Sequence, residues 1–158
     1  MPKDDTALAA LLRLFRATAF LESRLSPGLG SVHGLALNEL LFLLQLSRAP
    51  LQRLRRVDLA QRLHTSQSTI TRMALPLEKI GLIKREADPR DARVAYVTLT
   101  KTGRTRVAEA EASFRRMAQD LFKAGVYGKA EGWSEKDIAQ LSALLGRFTA
   151  ALPGDITE

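Results

Sequence analysis

The fold class that this sequence predicts is mainly α-helical with one small β-hairpin, and three observations predict it. Ile70, Met73, Ala74, Leu77 and Ile80 recur at the spacing of one helical face. Ile83–Glu86 and Val94–Leu99 read as two strands, the second alternating Ala95, Val97 and Leu99 with Val94, Tyr96 and Thr98. At the two ends of the chain, Leu8, Leu11, Leu12, Phe15 and Ala19, and then Ile138, Leu141, Leu145, Phe148 and Leu152, form apolar stripes with steps of three and four. A chain of 158 residues, 46% hydrophobic, can bury one core, so a single domain over 1–158 is expected.

Taken in order, residues 4–25 form an amphipathic helix that Ser26-Pro27-Gly28-Leu29-Gly30 should break. The glycine-rich run around it follows no strand, which argues against a phosphate loop. Leu35–Ser47 is a second helix, apolar nearly all round and hence central to the core. Ala49-Pro50 ends it, and Leu51–Leu54 can add a short strand to the hairpin. A short helix from Val57 and a tight turn at His64-Thr65 follow. Ser66 can then cap the next helix by accepting from an orphan N–H two or three residues on. Gly81 stands where a left-handed C-terminal cap is wanted. Pro76 lies inside this helix and should loosen it near Arg72, whose carbonyl loses its partner.

The hairpin tip, A-D-P-R-D-A-R, is polar and carries Arg90 and Arg93. A helix of about 102–123, with Phe114, Met117 and Leu121 on one face, leads to a glycine-rich break. Ser134 and Asp137 then open the last helix as a weakened capping box. Its stripe suits a partner helix, although packing within the monomer satisfies the periodicity equally well. Two helices, a tight turn and a basic-tipped hairpin make up the winged helix-turn-helix layout, a frame for reading DNA.

Charge placement agrees with that frame. The net charge is +7, yet residues 52–106 hold 13 Lys/Arg against 5 Asp/Glu, and the remainder of the chain balances at −1. A solvated basic face is the bland explanation; confinement to the helix-turn-helix and hairpin favours phosphate. A membrane-surface role lacks its basic amphipathic helix with an aromatic face. Cysteine is absent, which excludes disulfides, thiolate metal sites and thiol redox sensing. The two histidines, His33 and His64, stand in different segments, and no H-E-x-x-H, G-x-S-x-G or P-loop pattern occurs. Neither an enzyme nor a cofactor or metal site is therefore expected. The M-P-K-D-D start lacks a signal peptide's basic segment, and the longest apolar run, Leu40–Leu44, is too short for a bilayer, so the expected compartment is the cytoplasm.

The pieces D-L-A-Q-R-L, S-x-S-x-x-T-R at Ser66–Arg72, P-L-E-K-I-G-L-I at Pro76–Ile83 and D-P-R-D-A-R-V-A-Y-V-T-L-T at Asp88–Thr100 resemble the MarR family of bacterial transcriptional regulators. The resemblance implies a DNA-binding lobe at about 51–103 and a helical dimerisation lobe from about 4–34 and 104–152. It implies a homodimer through the first and last helices, with Leu8, Phe15, Ile138, Leu141, Leu145 and Phe148 in the seam. In the family an Asp-x-Arg motif sends its arginine into the minor groove, and Asp91-Ala92-Arg93 matches it, with Asp91 bracing Arg93. Many members carry a further basic residue where this chain has Ala92.

On the second helix Gln67, Ser68, Thr71 and Arg72 are candidates for base or phosphate contact, arginine on guanine being the strongest specific pairing available. Lys84, Arg85 and Lys101 read as phosphate contacts, and Arg90 as a contact to backbone or groove. His64 and Thr65 depart from the family's usual glycine and apolar residue. The implied partners are an imperfectly palindromic duplex, a second copy, and a small lipophilic or aromatic-acid effector near Arg16, His33, Asn38 and Phe42. The rival class is a winged-helix module that binds protein instead of DNA.

Overall fold

The first helix does not stop where the sequence suggests. In the computed structural model, which describes residues 3–91, 94–124, 132–150 and 152–154, α1 runs from Lys3 to His33 straight through Pro27. The proline removes one N–H, the partner of the Ser23 carbonyl, but its fixed φ suits a helix. Leu25, Leu29 and His33, spaced by four, are all buried, and that burial offsets the lost bond. The helix ends instead at Gly34, whose φ is +65° and whose N–H donates to the Gly30 carbonyl at 3.0 Å. Residues up to Leu37 form one compact unit and those from Asn38 onward a second.

The second unit is built on α2, Leu37–Ser47, in which Leu40, Phe42, Leu43, Leu44, Gln45 and Leu46 are all buried. Its core takes Leu59 from α3 (Arg56–Arg62), Ile70 and Leu77 from α4 (Gln67–Lys79), and Leu99 from β3 (Ala95–Leu99). The sheet has three antiparallel strands in the order β1-β3-β2, with β1 at Arg53–Arg55 and β2 at Ile83–Ala87. The short strand expected at 51–54 thus begins two residues later, because Leu51 and Gln52 take positive φ values that no strand allows. Pairing Ile83 with Leu99 and Arg85 with Val97 turns the apolar residues of β3 toward the core.

Two helix ends set the geometry of the helix-turn-helix, and both are Schellman endings. After α3, Thr65 N–H donates to the Ala60 carbonyl and His64 N–H to that of Gln61. After α4, Leu82 N–H donates to the Leu77 carbonyl and Gly81 N–H to that of Glu78. The left-handed residue is Gly81 in the second case (φ +76°) and His64 in the first (φ +49°). Helix α4 is continuous through Pro76. Its apolar stripe is narrower than expected: Ile70, Ala74 and Leu77 are buried and Met73 half-buried, whereas Ile80, past the last turn, is exposed.

Helix α5, Lys101–Ala124, starts against the hairpin. Thr100 Oγ1 donates to the Gly81 carbonyl at 2.6 Å and accepts from Gly103 N–H at 3.0 Å. Gly103 lies so close to Leu82 that a Cβ there would stand 1.9 Å from its carbonyl oxygen. Helix α6, Glu135–Thr149, opens with the expected capping box between Ser134 and Asp137, and none of its residues is buried. No single helix is long and apolar enough, among the described residues, to cross a membrane.

Candidate nucleic-acid interface

Ser66 positions the start of α4. Its Oγ accepts from Thr69 N–H at 3.1 Å and shares hydrogen bonds with the hydroxyls of Ser68 (2.8 Å) and Thr69 (3.0 Å). Gln67 and Ser68, in the first turn, are exposed, as is Arg72, while Thr71 is half-buried. Arg72 Nη2 donates to Thr69 Oγ1 at 3.4 Å, a weak tether that leaves the guanidinium at the surface. Thr71 Oγ1 donates to the Gln67 carbonyl at 3.0 Å and is itself met by Arg56 Nη1 at 3.5 Å.

Arg56 was not singled out by its sequence. It belongs to the run R-L-R-R at Arg53–Arg56, the one signal that could have found it. The other members of that run are engaged within the unit. Arg55 grips Asp58 with two hydrogen bonds, of 2.9 and 3.0 Å. That grip holds the Asp58 carboxyl below the usual carboxylate range and raises the Arg55 guanidinium. Arg53 lies over the Tyr96 ring, 4.4 Å from its centroid.

The wing is shaped by its acids. Asp88 Oδ1 accepts from the backbone N–H groups of Arg90 (2.7 Å) and Asp91 (3.3 Å), which tightens the tip and lowers the Asp88 pKa. The hairpin closes through Asp88 N–H to the Val94 carbonyl and Val94 N–H to the Asp91 carbonyl. Asp91 therefore helps form the turn through its backbone. Arg93, the leading candidate, lies outside the described residues, as does Ala92. Arg90, Arg85, Lys84 and Lys101 are exposed. Lys84 pairs with Glu86, whose Oε2 also accepts from Thr98 Oγ1 at 2.9 Å; both partners lower the Glu86 pKa. Such a surface pair is worth little and opens readily to a phosphate.

The four candidate effector residues are divided between the two units. Arg16, exposed, and His33, buried, belong to the first unit. Phe42 is enclosed completely (0% exposed) and serves the core. Asn38 borders a hollow of about 230 Å³ with Leu41, Leu63, Thr69 and Met73. A larger cleft of about 670 Å³ adjoins it across Leu41 and Leu63, walled by Gln45 of α2, Arg62, Phe122, and Leu141 and Leu145 of α6. Among the described residues, no three His, Cys, Asp or Glu side chains gather as they would around a metal ion.

The fold and the site define a winged helix-turn-helix protein: a capped second helix in α4, a three-stranded sheet, and a hairpin tip organised by Asp88. Residues 35–95 match the model of the MarR family. Among solved structures it is similar to the transcriptional regulator BldR from Sulfolobus solfataricus, with 25% identity, a TM-score of 0.74, and 93% of this chain and 99% of that one covered. It is also similar to AbsC, a MarR family transcriptional regulator from Streptomyces coelicolor, at 25% identity and a TM-score of 0.71, covering 96% and 97% of the two chains. It shares its fold with Sco3205, a MarR family transcriptional regulator from the same organism solved in complex with DNA (21% identity, TM-score 0.71, 94% and 91% covered). No curated protein matches the chain.

Proposed function

We propose that this chain is a homodimeric, sequence-specific DNA-binding repressor of the cytoplasm, released by a small lipophilic or aromatic-acid effector. The observation that carries the reading is the exposed first turn of α4, capped by Ser66, beside a wing whose tip and strands present Lys84, Arg85 and Arg90. The +8 balance of residues 52–106 supplies the attraction for phosphate. Gln67, Ser68, Thr71 and Arg72 read base edges or phosphate in the major groove, with Lys101 on the backbone. Arg93 enters a narrow A·T-rich minor groove, extended by Asp91.

Support for the dimer comes from apolar faces that lack cover. Leu8, Leu11, Leu12 and Phe15 on α1 are exposed, as are Leu144, Leu145 and Phe148 on α6. Water is a poor neighbour for so many large apolar side chains, and a second copy relieves it. The cleft of about 670 Å³ has the size of a small-molecule site and mixes leucines with Arg62, which suits an apolar anion.

The test is a mobility-shift titration against the protein's own upstream promoter region. The expected operator is an imperfect palindrome with half-site centres about 10 base pairs apart, or a multiple of that. Arg72→Ala should cost about 1–3 kcal/mol on that site and relax preference at one base position per half-site. Arg93→Ala should lose most of the wild type's preference for A·T over G·C in the flank where the wing lands. Failure to bind any promoter fragment above random DNA would remove the reading in favour of a protein-binding winged helix.

A further inference from the structure

We infer that Leu152–Gly154 is a strap that latches the helix-turn-helix to the end of α6. The starting observation is Gln45, a polar residue only 3% exposed among the buried apolar residues Leu40, Phe42, Leu43, Leu44 and Leu46 of α2. Its Nε2 donates to the Gly154 carbonyl at 2.7 Å, across 109 residues of sequence. Its Oε1 meets Arg62 Nη1, from the last residue of α3, at 3.5 Å. A buried amide needs its partner, so the strap is held by the requirement that Gln45 be satisfied.

Glycine is needed at 154 for two independent reasons. Its φ is +79°, a conformation that L side chains rarely adopt. A Cβ there would also lie 2.6 and 2.7 Å from Arg62 Cγ and Cδ and 2.7 Å from Gln45 Oε1. The chain reaches this seat through a turn in which Leu152 N–H donates to the Thr149 carbonyl at 2.8 Å. Pro153 then borders a hollow with Ala60, Gln61, His64, Thr65 and Gln67. The strap therefore packs on Arg62, at the end of α3, and borders the same hollow as the Schellman turn at His64 and the first residue of α4.

Through this contact, displacement of α6 bears on the α3–α4 turn, and a loosened turn no longer holds Gln67 and Ser68 in one orientation. The latch itself is independent of the proposed function. Only its consequence for DNA rests on that reading.

Amide hydrogen exchange separates the two. The full chain is compared with Gly154→Ala and with a chain ending at Ala150. In both variants the N–H groups of Leu63, His64 and Thr65 should exchange about three- to tenfold faster, the scale of one good hydrogen bond. Those of Val107 and Ala110, buried in α5, should keep their wild-type rates. Operator affinity should fall by a similar factor, with greater tolerance of altered half-site spacing. Unchanged exchange at 63–65 in both variants overturns the latch. So does a uniform rise that includes Val107 and Ala110, since the segment would then belong to global stability. If the wild type binds no operator but the local acceleration appears, the strap stands and the DNA reading falls.

Discussion

Phe148 offers the sharpest test of assembly. It lies in the last turn of α6 with 71% of its surface exposed. A phenylalanine presents about 200 Å², so about 140 Å² of largely apolar surface faces water in one copy. At about 25 cal/mol per Å² this corresponds to about 3.5 kcal/mol if fully covered, and a two-fold interface counts it twice, giving a ceiling of about 7 kcal/mol. Ordering costs consume part of that, so half the ceiling is a fair expectation. Phe148→Asp should then raise the dimer dissociation constant by about 300-fold. Because the side chain is exposed within the single chain, the substitution should leave its helical content unchanged. Sedimentation velocity over a dilution series, with circular dichroism on the same samples, measures both. A wild type that stays monomeric at micromolar concentration would refute the reasoning, as would a variant that dimerises like the wild type.

The remaining predictions are local. His64 holds a left-handed conformation that costs an L residue about 1–2 kcal/mol, partly offset by the entropy glycine loses on folding. By calorimetry, His64→Gly should raise Tm by about 1–4 °C while β-branched His64→Val lowers it; equal shifts would mean the turn relaxes freely. Gly103→Ala would press a methyl into the Leu82 carbonyl and should destabilise by about 1–3 kcal/mol in chemical denaturation, more than a helix-interior alanine normally gains. Asp58, Glu86, Asp88 and Asp137 all have folded-state pKa values below the usual carboxylate range, held there by Arg55, by Lys84 and Thr98, by the N–H groups of Arg90 and Asp91, and by Ser134 respectively. Their stabilisation is complete above about pH 5 and is lost progressively as pH falls through the unfolded-state and then the lower folded-state values. Replacing Asp58 and Asp88 by Asn should flatten the fall of Tm below about pH 4, and an unchanged acid limb would deny them that role.

What the sequence by itself determined were features closed by neighbours along the chain. The Ser66 cap bonds Thr69, the Ser134 box bonds Asp137, Gly81 ends α4, and alternation gives β3. Each depends on hydrogen bonds or periodicities within a few residues, so composition at those positions carries the information. Tertiary structure alone decided the rest. Pro27 and its glycines read as a break, but burial of Leu25, Leu29 and His33 carries α1 through them. Arg56 reaches Thr71 across 15 residues, Gly103 is demanded by a carbonyl 21 positions earlier, and Gln45 finds its acceptor at Gly154. None of these pairings has a local signature, even where a run such as R-L-R-R marks one partner, because the other partner's position is set by how helices pack.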